Sequence, residues 1–300
     1  MNNINHINKC PVCGGEKFVS KYNCNDWLVS KETFAIERCV SCRFLFTQNA
    51  PDASSIGNYY QSENYISHSN TRKTVIDKLY HFVRKIMLKR KAKIVLKHAP
   101  KKAHTLLDIG CGTGHFLNHF KYYGWNIYGV DESETARAFA AENFGLSIDP
   151  PKKLFEFEQA QFDAITLWHS LEHLHSLNET MSQLYKLLRK NGVLVVAVPN
   201  PASADAYYYK ASWAAFDVPR HLWHFTPTTL GVLANKHGFY IKKMYPMPAD
   251  AFYISILTEK QKKPSWAFVR GFIRGKLCWL TSLGNRKKSS SIIYILQKRF

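Results

Sequence analysis

The apolar and polar positions of residues 104–245 alternate between two periods. Short apolar runs typical of strands are separated by stretches whose apolar residues recur at helical spacing. The predicted strands are 105–109, 126–130, 162–168 and 193–198, and the predicted helices are 113–123, 133–144 and 177–189. Because strands that alternate with helices form parallel sheets, this pattern predicts an α/β fold with helices on both faces of the sheet.

Three further strands complete the predicted sheet. They lie at 146–148, 239–245 and 291–297, and a helix at 227–237 precedes the second of them. Thr226 is placed to cap this helix, and Pro227 suits its first turn. We therefore expect a seven-stranded, mostly parallel sheet.

The composition divides the chain into three parts. Residues 1–50 hold five of the seven cysteines, four of them in two CxxC pairs, among short β-prone stretches, and residues 51–70 have the Pro, Ser, Gly and Asn content of a linker. The expected boundaries are a small ribbon at 1–50, a linker and basic helix at 51–100, and the α/β domain at 101–300.

Two segments outside the sheet combine basic residues with an apolar stripe. Residues 72–97 contain ten Lys or Arg and one acid, Asp77, and residues 264–280 interleave apolar and basic side chains. The apolar stripe of the first helix comprises Ile76, Leu79, Val83, Ile86 and Ile94. Such a helix either lies on a membrane surface or packs its apolar face on the sheet, and both interpretations are open at this point.

The net charge of +19 favours an anionic partner, such as nucleic acid, anionic lipid or a phosphorylated substrate. The first ten residues have no apolar stretch resembling a signal peptide, and no apolar run approaches the roughly 18 residues that span a bilayer. We expect a cytoplasmic protein, with peripheral membrane contact through the basic amphipathic helices as a further expectation.

A glycine-rich loop follows the first predicted strand of the α/β domain. Gly110, Gly112 and Gly114 have G-x-G-x-G spacing after Asp108, and the next strand ends at Asp131. Glycines at this position permit a tight turn and close approach of a ligand, and a carboxylate at the end of the second strand can bind ribose hydroxyls. A structural turn or a dinucleotide site would show a similar loop.

Four motifs in order narrow these alternatives. They are DIGCGTG at 108–114, GVDES at 129–133, FDAITLWHSLEHL at 162–174 and LLRKNGVLVVAVPN at 187–200. The chain thus resembles the class I S-adenosylmethionine (SAM)-dependent methyltransferases. VPRHLWHFTP at 218–227 is similar to the subgroup with ubiquinone-pathway and sugar methyltransferases.

This resemblance implies a Rossmann-like fold, SAM as cofactor and a set of binding residues. The implied SAM-binding residues are Asp108, Gly110, Cys111, Gly112, Gly114, Asp131, Glu132, Ser133, Trp168 and His169. The segment after the third predicted strand is shorter than is usual in the family, and Asp149 is the residue that it offers near the adenine.

Cys10, Cys13, Cys39 and Cys42 form two CxxC pairs. Two such pairs can direct four thiolates at one tetrahedral Zn²⁺, and a four-sulfur site has no open position, so the predicted zinc is structural. Two unrelated reduced pairs are the alternative. The ribbon resembles those that precede some deoxysugar C-methyltransferases.

Histidines supply the candidate catalytic bases, because their pKa lies near neutrality. We assign this role to His221, His224 and His169, and the alternative is that each satisfies only local hydrogen bonds. Glu172 and His173 match an EH pair that, by resemblance, holds a divalent ion in ubiquinone-pathway enzymes. His169 stands where that pattern has an acid, which argues against a second metal.

The function expected from these features is methyl transfer from SAM to a small-molecule, sugar or lipid-linked acceptor. An RNA methyltransferase is an alternative that the basic charge favours, although no RNA-binding module is visible. A non-catalytic scaffold that binds SAM is a third alternative. The acceptor itself is not encoded in a recognisable motif, because one fold hosts many acceptors.

Overall fold

The computed structural model describes residues 4–60, 75–262 and 265–299, and the side chains of these residues apart from 75–83. The strands are β1 Ile4–Asn5, β2 Phe18–Asn25, β3 Thr33–Cys39, β4 Leu45–Thr47, β5 Ala50–Pro51, β6 Thr105–Ile109, β7 Asn126–Val130, β8 Phe162–Trp168, β9 Leu188–Pro199, β10 Trp223–His224, β11 Phe239–Pro246 and β12 Ser291–Lys298. The helices are α1 Val75–His98, α2 His115–Lys121, α3 Glu134–Phe144, α4 Leu177–Leu187, α5 Ala204–Tyr209, α6 Pro227–Lys236, α7 Pro248–Lys262 and α8 Ala267–Gly284.

The central sheet has the strand order β11-β12-β9-β8-β6-β7. The strands β9, β8, β6 and β7 are parallel neighbours, whereas β12 is antiparallel to both β9 and β11. Five strands therefore run in one direction and one in the other. The expected Rossmann-like α/β class is confirmed.

The strand count differs from the expected seven. The segment predicted as a strand at 146–148 makes only an isolated parallel bridge between Val130 and Asp149. Pro150 and Pro151 follow at once, and since proline has no amide hydrogen to donate, the ladder cannot continue. The central sheet has six strands in the described part of the chain.

Apolar side chains cover both faces of the central sheet. On β8, Ile165 and Leu167 belong to one buried cluster, whereas Ala164 and Trp168 belong to a second. This alternation is the two-residue period of a strand, and burial of both faces is typical of a parallel sheet. The first cluster continues into α4, α6 and the N-terminal residues, and the second into α1, α2 and α3.

The N-terminal unit is joined to the α/β domain through a shared sheet. β10 extends the sheet of β2, β3 and β4, with Trp223 opposite Phe46 and His224 opposite Leu45. Both strands of that pair are buried. The loop that carries the candidate histidines is therefore fixed against the N-terminal unit.

The basic helix α1 packs on the sheet. Ala92, Ile94 and Val95 are buried in the second apolar cluster, while Ile86 is about half exposed. The expected stripe residues Ile76, Leu79 and Val83 lie outside the described side chains. The described half of α1 therefore packs buried apolar residues on the core, and peripheral membrane contact stays an expectation. No helix within residues 4–60, 75–262 or 265–299 is long and apolar enough to cross a bilayer.

Candidate active site

The candidate active site lies at the carboxyl edge of β6, β7 and β8. These three strands are adjacent and parallel, so the residues that follow their ends meet on one edge of the sheet. Ligands of open α/β sheets bind outside this edge. The glycine loop follows the end of β6, Asp131 follows β7 and His169 follows β8.

The glycine loop forms an open cradle. Gly110, Gly112 and Gly114 all have positive φ, at 68°, 56° and 76°, which a residue with a Cβ adopts only at a cost. A Cβ at Gly110 would lie 2.5 Å from Ser170 Cβ, whereas nothing lies within 4 Å of a Cβ at Gly112. The loop thus packs against the chain after β8 on one side and leaves free space at Gly112. Cys111 is half-buried between them.

Asp131 fixes the approach to this cradle. Its carboxylate accepts hydrogen bonds from the amides of Gly112, at 2.6 Å, and Ser133, at 2.9 Å. Ser133 caps α3 and is exposed together with Glu132. Asp149 lies beside Asp131, because the amide of Asp131 donates to the carbonyl of Asp149. The Asp131 carboxylate therefore links the loop after β6 to the residues after β7.

Asp108 is a buried acid beneath the loop. The Thr166 hydroxyl donates to Asp108 Oδ1 at 2.6 Å. Burial raises the pKa of Asp108 to about 7, although this hydrogen bond and the charge of Lys91 oppose the rise. A ligand that brought a positive charge or a donor group to this acid would therefore stabilise its ionised form.

Lys91 enters the site from α1. Its ammonium lies 4.6 Å from the ring centroid of Trp168, a distance suited to a cation–π contact. Burial lowers the pKa of Lys91, against the opposing charges of Asp108 and Asp250. Trp168 is itself buried, and its Nε1 has no hydrogen-bond partner among the described residues.

His169 follows directly and is held between two carboxylates. Its backbone is left-handed, with φ 56°, which is uncommon for histidine and turns the side chain out of the strand. Nε2 lies 3.2 Å from Asp250 of α7, and Nδ1 lies 3.4 Å from Glu172. Burial alone would lower the pKa of His169, but the two acids outweigh it and raise the pKa to about 9. The ring is cationic at neutral pH.

Glu172, His173 and His221 converge beside this ion pair, with one ligand atom of each within 4.8 Å of the others. His173 Nδ1 faces the carbonyl of Arg220, at 3.1 Å, and His221 Nδ1 faces that of Ala215, at 2.9 Å. The Tyr60 hydroxyl also lies 2.9 Å from His173 Nδ1. Burial lowers the pKa of His173 to about 4. Two imidazoles and a carboxylate form a ligand set that suits a divalent cation.

His224 lies deeper than the other candidate histidines. It is buried in β10, and its Nε2 is 3.1 Å from the Thr47 hydroxyl. Burial, followed by the charge of His221, lowers its pKa well below the ordinary value. The side chain thus links β10 to β4 within the four-stranded sheet, and its assignment as a base stays a prediction.

The four cysteines of the N-terminal unit form a compact group whose sulfur atoms all lie within 4.8 Å of one another. Cys10 Sγ is 3.6 Å from Cys42 Sγ, and Cys13 Sγ is 3.6 Å from Cys39 Sγ. These separations are too long for disulfides. They match the edge of about 3.8 Å expected for a tetrahedron with Zn–S bonds of ~2.3 Å. The two CxxC turns therefore fit one zinc ion.

A family model described as a methyltransferase domain matches residues 79–243, which is more than half of the chain. The chain belongs to this family. It is a class I SAM-dependent methyltransferase, and the expected enzyme class and methyl donor are confirmed. The roles of individual SAM-binding and catalytic residues stay predictions.

Curated relatives of the methyltransferase include two enzymes named ubiquinone biosynthesis O-methyltransferase. The protein from Pelagibacter ubique is 28% identical over 167 residues, which cover 51% of this chain and 68% of the relative. The protein from Caulobacter vibrioides is 32% identical over 127 residues, which cover 40% of this chain and 50% of the relative. The chain thus spans about half to two thirds of these relatives.

Solved structures agree on the fold. A SAM-dependent methyltransferase from Archaeoglobus fulgidus is 22% identical, with a TM-score of 0.50 over 72% of this chain and 94% of that one. A sarcosine dimethylglycine methyltransferase from Galdieria sulphuraria is 12% identical, with a TM-score of 0.51 over 74% and 88%. At these identities the likeness concerns the fold alone.

Sequence reasoning missed three residues of this site. Lys91 was one of ten basic residues on its segment, and only the packing of α1 singles it out. Asp250 is far along the chain from His169, so no local spacing marked it, whereas Asp217 directly precedes the 218–227 motif and pairs with Arg220 three residues later. His221, by contrast, was predicted and lies in the group with Glu172 and His173.

Proposed function

We propose that this methyltransferase transfers the methyl group of SAM to a hydroxyl oxygen of a small-molecule acceptor, next to a divalent cation held by Glu172, His173 and His221. The observation that carries the proposal is the convergence of these three side chains beside the candidate SAM cradle. The three side chains lie close to the cradle in space, because Glu172 pairs with His169, and Ser170 contacts Gly110.

The cradle fits SAM in shape and charge. The open space at Gly112 admits a ligand close to the backbone, and the carboxylate of Asp131 is available to ribose hydroxyls through the lone pairs that its two amide contacts leave. Asp108 is suited to orient the cationic methionine part, because its burial strengthens the attraction to a positive group. Bound SAM supplies an electrophilic methyl group on a sulfonium.

Methyl transfer is an in-line displacement, so the positions of donor and acceptor supply most of the rate. A divalent cation on the three ligands would lower the pKa of an acceptor hydroxyl. His173 Nδ1 and His221 Nδ1 each face a backbone carbonyl, and these contacts fix the orientation of both rings. The cationic His169 is better suited to donate a hydrogen bond that orients the acceptor than to act as a base.

The acceptor class is supported by two features. The relatives named ubiquinone biosynthesis O-methyltransferase favour a hydroxyl on a small molecule, and sugar or lipid-linked acceptors carry the same group. The ligand set favours a hydroxyl as well, since oxygen and imidazole ligands suit a cation that binds an acceptor oxygen. The basic charge alone favours RNA, and RNA is therefore a control substrate.

We also propose that Cys10, Cys13, Cys39 and Cys42 hold a structural zinc ion. The sulfur separations and the four-thiolate ligand set support this role, because such a site leaves no open coordination position.

The test measures transfer of labelled methyl groups from SAM to catechols, sugars and lipid-linked alcohols, with amines and bulk RNA as comparison substrates. Metal-depleted protein is assayed with and without added Mg²⁺ or Mn²⁺. We expect turnover on a hydroxyl substrate that requires the added ion and falls by about a hundredfold or more in Glu172→Gln. SAM affinity should fall much less than turnover, because Glu172 meets the predicted SAM-binding residues through His169 and does not line the glycine loop.

Glu179→Gln, an exposed change on α4, is the matched control and should behave like the wild type. Transfer to RNA in preference to every small molecule would replace the proposal with the RNA alternative. Full SAM affinity without turnover on any substrate would favour a scaffold.

A further inference from the structure

Helix α8 exposes a continuous apolar face. Each of its outward side chains is about half exposed or more, including Ile273 at 55% and Leu283 at 62%. The face comprises Phe268, Val269, Ile273, Leu277, Leu280 and Leu283. Single exposed apolar residues are common on proteins, but a contiguous patch of this kind marks an interaction surface.

The opposite face of α8 explains why the apolar residues point outward. The buried residues of α8 are small: Ala267, Gly271, Gly275, Cys278 and Ser282. A Cβ at Gly275 would lie 2.7 Å from Phe252 Cα of α7, so the two helices pack backbone against backbone. The inner face of α8 is therefore fully used in contact with α7, and the apolar outer face remains uncovered by the described residues.

The charges around this face are of one sign. Residues 267–288 contain no Asp or Glu, and their basic residues are Arg270, Arg274, Lys276, Arg286, Lys287 and Lys288. Arg270 pairs with Glu259 of α7 at 3.2 Å, and Arg274 stacks on Tyr208 at 3.5 Å. These two arginines thus lie along one border of the face, and the exposed Lys276, Arg286 and Lys287 add unpaired positive charge in the described part.

We propose that the outer face of α8 docks on the surface of an anionic membrane. An apolar face with a basic border and no acid is the pattern of a helix that lies in the bilayer interface. Lys276 stands within the face, and its long side chain can reach the headgroups while its stem stays among apolar residues. A second copy of the chain is a poorer occupant, since it would bring the same positive charges together.

Docking would act on the active site through α7. Asp250 at the start of α7 pairs with His169, and α7 packs along α8. If the proposed methyl transfer is correct, a membrane-docked enzyme would be able to take an acceptor dissolved in lipid. The docking itself does not depend on that function.

Vesicle flotation of the full-length protein tests the docking. The probes are phosphatidylcholine vesicles with and without phosphatidylglycerol. We expect binding to the anionic vesicles, and a decrease of about tenfold or more in partitioning for Ile273→Ser/Leu280→Ser, because two large apolar side chains are lost from the buried face. Arg286→Gln/Lys287→Gln should bind more weakly and show a smaller effect of added salt.

Tyr122→Ser/Phe155→Ser is the matched control, since both side chains are exposed apolar residues away from α8. It should bind like the wild type. Unchanged thermal midpoints show that every variant is folded. The proposal is overturned if the wild type fails to bind anionic vesicles, or if the α8 variant binds as well as the control. It is also overturned if sedimentation shows a dimer that the α8 variant abolishes.

Discussion

Arg220 Nη2 lies 2.9 Å from Asp26 Oδ1, and both side chains are buried from solvent. The same guanidinium contacts Asp217 Oδ1 at 2.6 Å and donates to the carbonyl of Tyr59 at 2.9 Å. Asp26 follows β2 of the N-terminal unit, whereas Arg220 immediately precedes His221. This ion pair therefore fixes the candidate catalytic loop to the N-terminal unit.

Replacing Arg220 with Met should destabilise the protein strongly. The change leaves Asp26 and Asp217 without their cation in the interior, and loss of one partner of a buried pair costs about 3–5 kcal/mol. The readout is the free energy of unfolding in urea. Arg189→Met is the control, because Arg189 pairs with Asp163 at 2.9 Å but is 41% exposed, and such pairs contribute about 0–1 kcal/mol. Equal losses of unfolding free energy in the two variants would contradict the assignment of Arg220 to a buried ion pair that stabilises the fold.

The same ion pair predicts how stability depends on acid. Burial raises the pKa of Asp26, but the Ser30 amide and Arg220 outweigh it, so the folded-state pKa is below the ordinary value. The unfolded chain therefore binds a proton at Asp26 more readily than the folded chain does. The stabilisation from ionised Asp26 is complete above the unfolded pKa of about 3.9. It decreases as the pH falls below that value. Thermal midpoints between pH 6 and about pH 3 should decline less steeply in Asp26→Asn than in the wild type. A slope unchanged by the substitution would show that Asp26 does not titrate in this window.

The cysteine group predicts the zinc content. We expect one zinc ion per chain in the wild type and its loss in Cys10→Ser or Cys39→Ser, with a lower thermal midpoint, because the metal crosslinks two turns of the N-terminal unit. Cys24→Ala, which changes a buried cysteine outside the group, should retain the ion. Metal analysis of the purified variants measures this difference. Zinc retained after loss of either ligand would rule out a four-sulfur site.

The sequence predicted the strands of the central sheet well because apolar residues dominate each of them, although Lys242 and Lys243 interrupt the apolar run of β11. It failed at 146–148, where Leu146 and Ile148 are apolar because they pack beneath Gly114 and not because they form a ladder. The pattern of a short apolar segment is the same in both cases, so periodicity cannot separate them.

The candidate site was predictable only where a motif kept its residues close together. Asp108, Gly112 and Asp131 lie at strand ends, and the parallel sheet brings those ends together. The pairing of His169 with Asp250 depends on how α7 folds back over the sheet edge, and that path has no local signature. The group of possible metal ligands was likewise only partly predictable. His169 stands where the expected pattern has an acid, and His221 supplies a ligand atom from another loop.

Gly112 and Gly124 provide a matched pair for testing the cradle. Both have positive φ, at 56° and 71°, and a Cβ at either position meets nothing within 4 Å. Alanine at either site therefore carries a similar backbone cost, of about 1 kcal/mol, without a clash in the protein itself. They differ in place, because Gly124 lies in the turn after α2 and Gly112 faces the proposed SAM site.

Gly112→Ala should fold with a thermal midpoint close to that of Gly124→Ala and yet bind SAM at least about tenfold more weakly. The added methyl group would occupy the space that the ligand needs next to the backbone, and a loss of about 1.4 kcal/mol in binding gives this factor. Calorimetric titration with SAM and with its demethylated product measures both affinities. Gly124→Ala should bind both compounds like the wild type. Equal affinities in the two variants would mean that SAM does not approach Gly112, and the cradle would then have to be sought elsewhere along the carboxyl edge of the sheet.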